Sequence, residues 1–339
     1  MRIIALFFLL VSCGKDHELI PNFTKNSAFI INGGDNSISV LDLKNFTISE
    51  PIFIDNQGSS FSHHIYISKD KTILSIANSG YDFSNGHTGI HSYSGKGKAL
   101  ILNSSDAKII KEIEIPFASN NVIITADNKE IWTATYSHSG KVLVYDLKSG
   151  VLTNEIPVGA DPSEIIFAKE GSLALLAASE SSFLTVIDKS EKIIIKEIKI
   201  DPLPSNVWPG FDENSVFVEN SNKKSLNIVD LNKLLVVDFI DFPFIPGHIV
   251  FNKPKNEIWV CAKNLNQIAI YTKNKEAWEI KNTISTEEDP HHISFFNNFQ
   301  TAIVANQKAN SVEIIDCTSF KITKKFFTGK KPNGIAIWE

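Results

Sequence analysis

The sequence predicts an all-β fold: a seven-bladed β-propeller closed by pairing a C-terminal inner strand with three N-terminal strands. Three observations predict it. A short apolar segment recurs seven times, each recurrence holds four strand-like runs, and the two chain ends are out of phase by one strand.

The recurring segment reads Ser39-Val40-Leu41-Asp42, Leu100-Ile101-Leu102-Asn103, Leu143-Val144-Tyr145-Asp146, Thr185-Val186-Ile187-Asp188, Asn227-Ile228-Val229-Asp230, Ala269-Ile270-Tyr271-Thr272 and Glu313-Ile314-Ile315-Asp316. Its last residues are 61, 43, 42, 42, 42 and 44 apart, a period near 42 with one insertion. Within the copy around 206–240 the strand-like runs are 206–210, 215–219, 226–229 and 234–240, separated by turn residues. No amphipathic helical pattern interrupts them. Four strands in about 42 residues match one propeller blade.

The run 334–338 matches the first strand of a repeat, while 28–54 holds the second, third and fourth. Joining them completes a seventh blade and removes both open sheet edges. Trp132 and Trp259 hold equivalent second-strand positions and are expected as wedges between blades.

The N-terminus reads differently. Arg2 precedes the apolar run 3–11, which is too short to span a bilayer, since a spanning helix needs about 20 residues. The pattern is that of a secretory signal over 1–12. It ends in Leu10-Val11-Ser12-Cys13, which resembles the lipobox of bacterial lipoproteins. That resemblance implies lipidation of Cys13, a tether over 13–27, a propeller over 28–339 and anchoring to the bacterial outer membrane. Gly14-Lys15-Asp16-His17-Glu18 is similar to the export signal of Bacteroidetes surface lipoproteins, which implies display on the cell surface. Cys261 and Cys317 lie in different repeats without metal-ligand spacing and read as buried free thiols.

A net charge of −5 and dispersed Lys and Arg argue against nucleic acid, which needs a concentrated basic patch. Apolar residues at 43% suffice for a large core.

Second strands often end in Asn (Asn32, Asn78, Asn220, Asn306), and a Pro-x-x turn opens many inner strands, as at Pro162, Pro290 and Pro332. Together these resemble the repeats of YVTN/YncE-type propellers. The resemblance covers nearly all of the chain beyond the tether and implies fold more than function.

Blade topology puts two kinds of loop on one face: those from second to third strands, and those from an outer strand to the next inner strand. His63, His64, His248, His291 and His292 fall in the latter; His87, His91 and His138 fall in the former. All eight histidines of the propeller body therefore map to one face. Two residues past each inner-strand Pro, or its equivalent, stand His64, Asn121, Glu164, Asn206, His248, His292 and Gly334, expected to ring the channel mouth. The insertion 81–97 carries Tyr81, His87, His91 and Tyr93 among glycines and is expected to overhang that mouth. The candidate ligand-binding residues are thus His64, Glu164, Asn206, His248, His292, Tyr81, His87, His91, Tyr93 and His138. No compact ligand motif such as HExxH assigns a metal, so any metal site is assembled from separate blades.

Three functions fit. A membrane-anchored capture protein would hold a polar nutrient for an outer-membrane transporter. The chain is similar in repeat, anchor and topology to cobalamin-capturing BtuG-type lipoproteins, which implies a corrinoid as ligand. A lactonase- or lyase-like enzyme would use Glu164 and the channel histidines as acid and base, although no nucleophile elbow is present. A protein-interaction scaffold would use exposed Tyr81, Tyr93 and Tyr136.

Overall fold

A computed structural model describes residues 22–55, 61–83 and 95–339. Cys13 and the signal segment, together with His87, His91 and Tyr93, lie outside the described residues.

Within them, strands β1 to β29 in chain order form seven antiparallel sheets around a central channel. Six blades are contiguous in sequence: 62–115, 122–157, 162–199, 206–241, 246–285 and 290–327. Their inner strands are β5 (Ser62–Ile67), β9 (Val122–Ile124), β13 (Pro162–Ala168), β17 (Asn206–Pro209), β21 (Pro246–Asn252) and β25 (Pro290–Phe296).

The seventh blade is the composite one. β29 (Pro332–Trp338) is its inner strand, followed by β1 (Ser27–Asn32), β2 (Ser37–Asp42) and an outer edge split into β3 (Thr47–Ile48) and β4 (Ile52–Phe53). Register runs from Ser27 opposite Trp338 to Asn32 opposite Pro332, as the phase of the chain ends predicts.

The core is divided among the blade interfaces. Each of the seven contacts between neighbouring blades has its own apolar cluster. Trp132 and Trp259 are fully buried in two of them, each donating its indole N–H to a carboxylate two residues earlier, Glu130 or Glu257, at 3.0 Å. Cys261 and Cys317 share one cluster as free thiols, and burial pushes the Cys317 thiol up to about 12.

The repeat-ending Asp residues do structural work at turns. Asp146 accepts the Ser149 N–H at 2.7 Å and Asp316 the Ser319 N–H at 2.6 Å. No helix of the described residues is long and apolar enough to cross a membrane.

Candidate ligand site at the channel mouth

Each histidine of the mouth owes its position to an irregular strand start. On β5, His63 pairs with Ala77 and Ile65 with Ile76, leaving His64 unopposed with a left-handed φ of 49°. The register also slips between Pro162 and Ile165, between Pro246 and Ile249, and between Pro290 and His292. These irregularities leave Glu164, His248 and His291 outside the regular pairing near their strand starts. A bulge re-aims a side chain that regular pairing would hold in the pleat.

Across the channel, His64 Nε2 lies 3.1 Å from Glu164 Oε1, with both side chains buried. The Tyr66 hydroxyl donates to the same oxygen at 3.0 Å and accepts from Asn121 Nδ2 at 3.3 Å. The ring continues through imidazole faces. His64 and His292 centroids are 5.9 Å apart, His292 stacks on His248 at 3.8 Å, and His248 meets Trp208 edge-on at 4.3 Å. Trp208 is fixed by donating its indole N–H to Glu219 at 2.8 Å.

Residues expected to ring the mouth are thus linked into a layer, and some of its members are occupied in holding blades together. Asn121 bonds both the N–H and the carbonyl of Ile165 on the next inner strand. His248 Nδ1 accepts the Ile293 N–H in the same way, at 3.3 Å, which puts the hydrogen of its neutral ring on Nε2. Gly334 offers no side chain because β5 packs against it: a Cβ there would lie 2.9 Å from the His64 Cα.

Above this layer sits a polar cavity of about 220 Å³. His63, Asn206, Glu219, His248, Lys263 and His291 are among its walls. His63 Nδ1 donates to the Asn120 carbonyl at 2.9 Å, whereas His291 Nδ1 has no hydrogen-bond partner among the described residues.

Burial sets the electrostatics. It holds His64, His248 and His291 well below the ordinary histidine range and takes His292 down to about 3, with neighbouring imidazoles adding to the effect. Burial likewise raises Glu164 well above the usual carboxylate range. Glu219 is also raised, though Lys263 and the Trp208 N–H oppose it. The mouth is thus built of uncharged imidazoles, the protonation state in which this ring accepts a hydrogen bond or ligates a metal.

Other expected site residues lie apart. Tyr81 packs on Phe83 with ring centroids 5.1 Å apart, and Phe83 in turn meets His63 at 5.2 Å and lines the cavity. The stem of the insertion therefore reaches the cavity through Phe83. Tyr136, expected as part of an exposed patch, is buried with Phe83 and Ala118 because its ring completes that small cluster. His138 stands on the outer rim, 3.5 Å from Glu180 and 3.9 Å from Asp161. These three offer ligand atoms within 4.8 Å of one another, one nitrogen and two oxygens, a donor set compatible with a divalent cation.

Tyr66, Trp208, Glu219 and Lys263 escape the sequence reading. For Glu219 a signal exists. It precedes the strand-ending Asn where two other repeats carry Ala77 and Ala305.

No family model matches the chain, and no curated protein does. Solved structures do. A protein of unknown function from Desulfotomaculum acetoxidans superposes with a TM-score of 0.73 at 15% identity, covering 92% of this chain and 98% of that one. The periplasmic gluconolactonase PpgL of Pseudomonas aeruginosa gives 0.70 at 13% identity, covering 91% and 98%. The dihydro-heme d1 dehydrogenase NirN, solved in complex with DHE, gives 0.66 at 12% identity, covering 93% and 76%. At such identities the likeness is one of fold, and it places the chain among seven-bladed β-propellers.

Proposed function

We propose that the protein is a non-enzymatic capture protein that binds a metal-bearing nutrient, with a corrinoid as the leading candidate, across its histidine face, over the mouth of the polar cavity. The observation that carries this reading is the convergence of imidazoles from three blades on one cavity, with burial holding His64, His248 and His291 well below the ordinary histidine range and His291 Nδ1 without a hydrogen-bond partner among the described residues. Neutral imidazole is the commonest protein ligand for transition metals. His291 would offer such a nitrogen to the metal of the cargo, and Asn206, Glu219 and Lys263 would offer polar contacts beside it. That the fold is shared with NirN, a dihydro-heme d1 dehydrogenase solved in complex with DHE, is in keeping with a propeller that handles a haem-like ligand.

In this reading lipid on Cys13 holds the propeller at the outer membrane, where it passes its cargo to a transporter. The experiment is titration with aquacobalamin, haem and ferric siderophores, followed by calorimetry and visible absorption. Saturable heat with a shift of the cobalamin or haem bands is expected. Absence of heat with all three ends the reading. Release of a Cys13→Ala variant from the membrane fraction tests the anchor separately.

A second reading rests on Glu164, a carboxyl raised well above the usual carboxylate range by burial beside His64, as an acid at the channel mouth of a lactonase-like enzyme. The fold shared with PpgL accords with it. Full lactone turnover by a His64→Ala, His292→Ala double variant excludes this pair as catalytic.

A further inference from the structure

Beneath the histidine layer the channel opens into a second chamber that the capture reading does not use. Its volume is about 590 Å³, within the range of small-molecule pockets. The lower halves of the inner strands wall it, and it extends to Phe299 in the turn after β25, on the face opposite the histidines. The walls are apolar, with Ile67, Ile124, Phe167, Val250, Phe295 and Ile337 among them.

Polar side chains enter at few points. Tyr66 spends its hydroxyl on Glu164 and Asn121. His248 gives Nδ1 to the Ile293 N–H. His292 lines the roof, is 9% exposed, and its Nδ1 has no hydrogen-bond partner among the described residues. No Asp, Glu, Lys or Arg is among the lining residues. An ion placed there would lose its hydration without gaining a counter-charge, which costs several kcal/mol or more.

We propose that this lower chamber is a separate binding site for an uncharged, mainly apolar small molecule with one hydrogen-bonding group directed to His292. Aromatic or branched aliphatic alcohols, ketones and amides fit this description; fatty acids, phosphates and sugars do not. The site is distinct from that of the capture reading: Trp208 and His248 border both cavities, but the other walls and the opening of the chamber lie on the other side of the layer.

The probe is N-phenyl-1-naphthylamine, a neutral naphthalene with a single N–H whose fluorescence rises in apolar surroundings. Saturable binding of one probe per chain is expected. Ser294, a half-buried polar residue on the chamber wall, is the site for blocking it. Ser294→Phe should weaken the probe by about tenfold or more, and His292→Phe by a few-fold. Thermal melts establish that each variant is folded, and Val250→Trp provides a second block should Ser294→Phe melt early. The sulfonated analogue 1-anilinonaphthalene-8-sulfonate should bind at least about tenfold more weakly than the neutral probe. Retained calorimetric heat for the upper cavity in Ser294→Phe separates this site from that one. The proposal is overturned by a non-saturable signal, by unchanged affinity in both folded blocking variants, or by equal affinity for the sulfonate.

Discussion

His64 Nε2 and Glu164 Oε1 face each other at 3.1 Å across the channel, and their burial makes them a neutral pair rather than a surface-type salt bridge. The two residues are 100 positions apart and come from blades separated by one other. Their contact closes the polar layer that divides the channel.

Because burial raises the Glu164 carboxyl well above the usual carboxylate range and so favours its neutral form, its amide analogue should replace it well. Glu164→Gln is expected to change stability by less than about 1 kcal/mol, whereas Glu164→Ala should cost about 2–4 kcal/mol through unpaired His64 and Tyr66 groups and a cavity. Chemical denaturation reads both. A large loss in the glutamine variant would mean that the carboxylate is ionised in the fold.

Stability should fall in acid. His64, His248, His291 and His292 have folded values below 6.5, so the unfolded chain binds more protons. Their contribution is complete above 6.5 and is lost as the pH falls through it toward 3, by up to about 1.4 kcal/mol per pH unit for each group. Glu164 and Glu219 act in the opposite sense. Their folded values lie above 4.5, so stability is lost as the pH rises through that value. Four imidazoles outweigh two carboxyls, so stability is greatest near 6.5 and falls as the pH drops below it, with Asp70, lowered from 3.8 to about 2, adding to this limb at the acid end. A His248→Gln, His292→Gln variant should flatten that limb in melts taken across pH. An unchanged limb would mean that the imidazoles are charged in the native protein.

Gly334 should tolerate no side chain. A methyl there meets backbone on two sides, the His64 Cα at 2.9 Å and the Ile65 N at 3.0 Å, and neither can yield without moving β5. Gly334→Ala is expected to destabilise by about 1–3 kcal/mol. It should also weaken cobalamin binding if His64 shifts with its strand. A wild-type melting temperature would show that the ring closes more loosely than the packing requires.

Two histidine variants distinguish the cavity from the rim. His291→Ala should lower affinity for a metal-bearing cargo by about tenfold, the value of one lost coordinate or charge-free hydrogen bond. His138→Ala should lower it much less, since His138 stands with Asp161 and Glu180 rather than in the cavity wall. Equal losses in calorimetry would place the cargo over the rim as much as over the cavity mouth.

The fold was legible because it is written as a period. Spacing alone located the seven blades, and the phase of the chain ends located the closure between 28–54 and 334–338. The face that bears the histidines followed from strand order, which fixes loop direction. The level of detail below that was not legible. Whether His64 faces the channel depends on a bulge and a positive φ, and neither has a local signature at a histidine. Asn121 and His248 look like mouth residues in sequence but spend hydrogen bonds on the next blade, a contact between positions 44 or 45 apart. Tyr66, Trp208 and Lys263 enter the site through packing between blades, which a single repeat does not encode.

The pairing of Ser27 with Trp338 also sets an order of events during synthesis. The sheets of six blades can form from contiguous stretches of chain, since their strand pairings are local. The seventh must wait for β29, and until then β1, with Ala28, Phe29, Ile30 and Ile31, presents an unpaired apolar edge to the cell. Such an edge is a template for pairing with other chains. Ring closure is therefore a long-range step, and the interval before it is when the edge of β1 is open to misassembly.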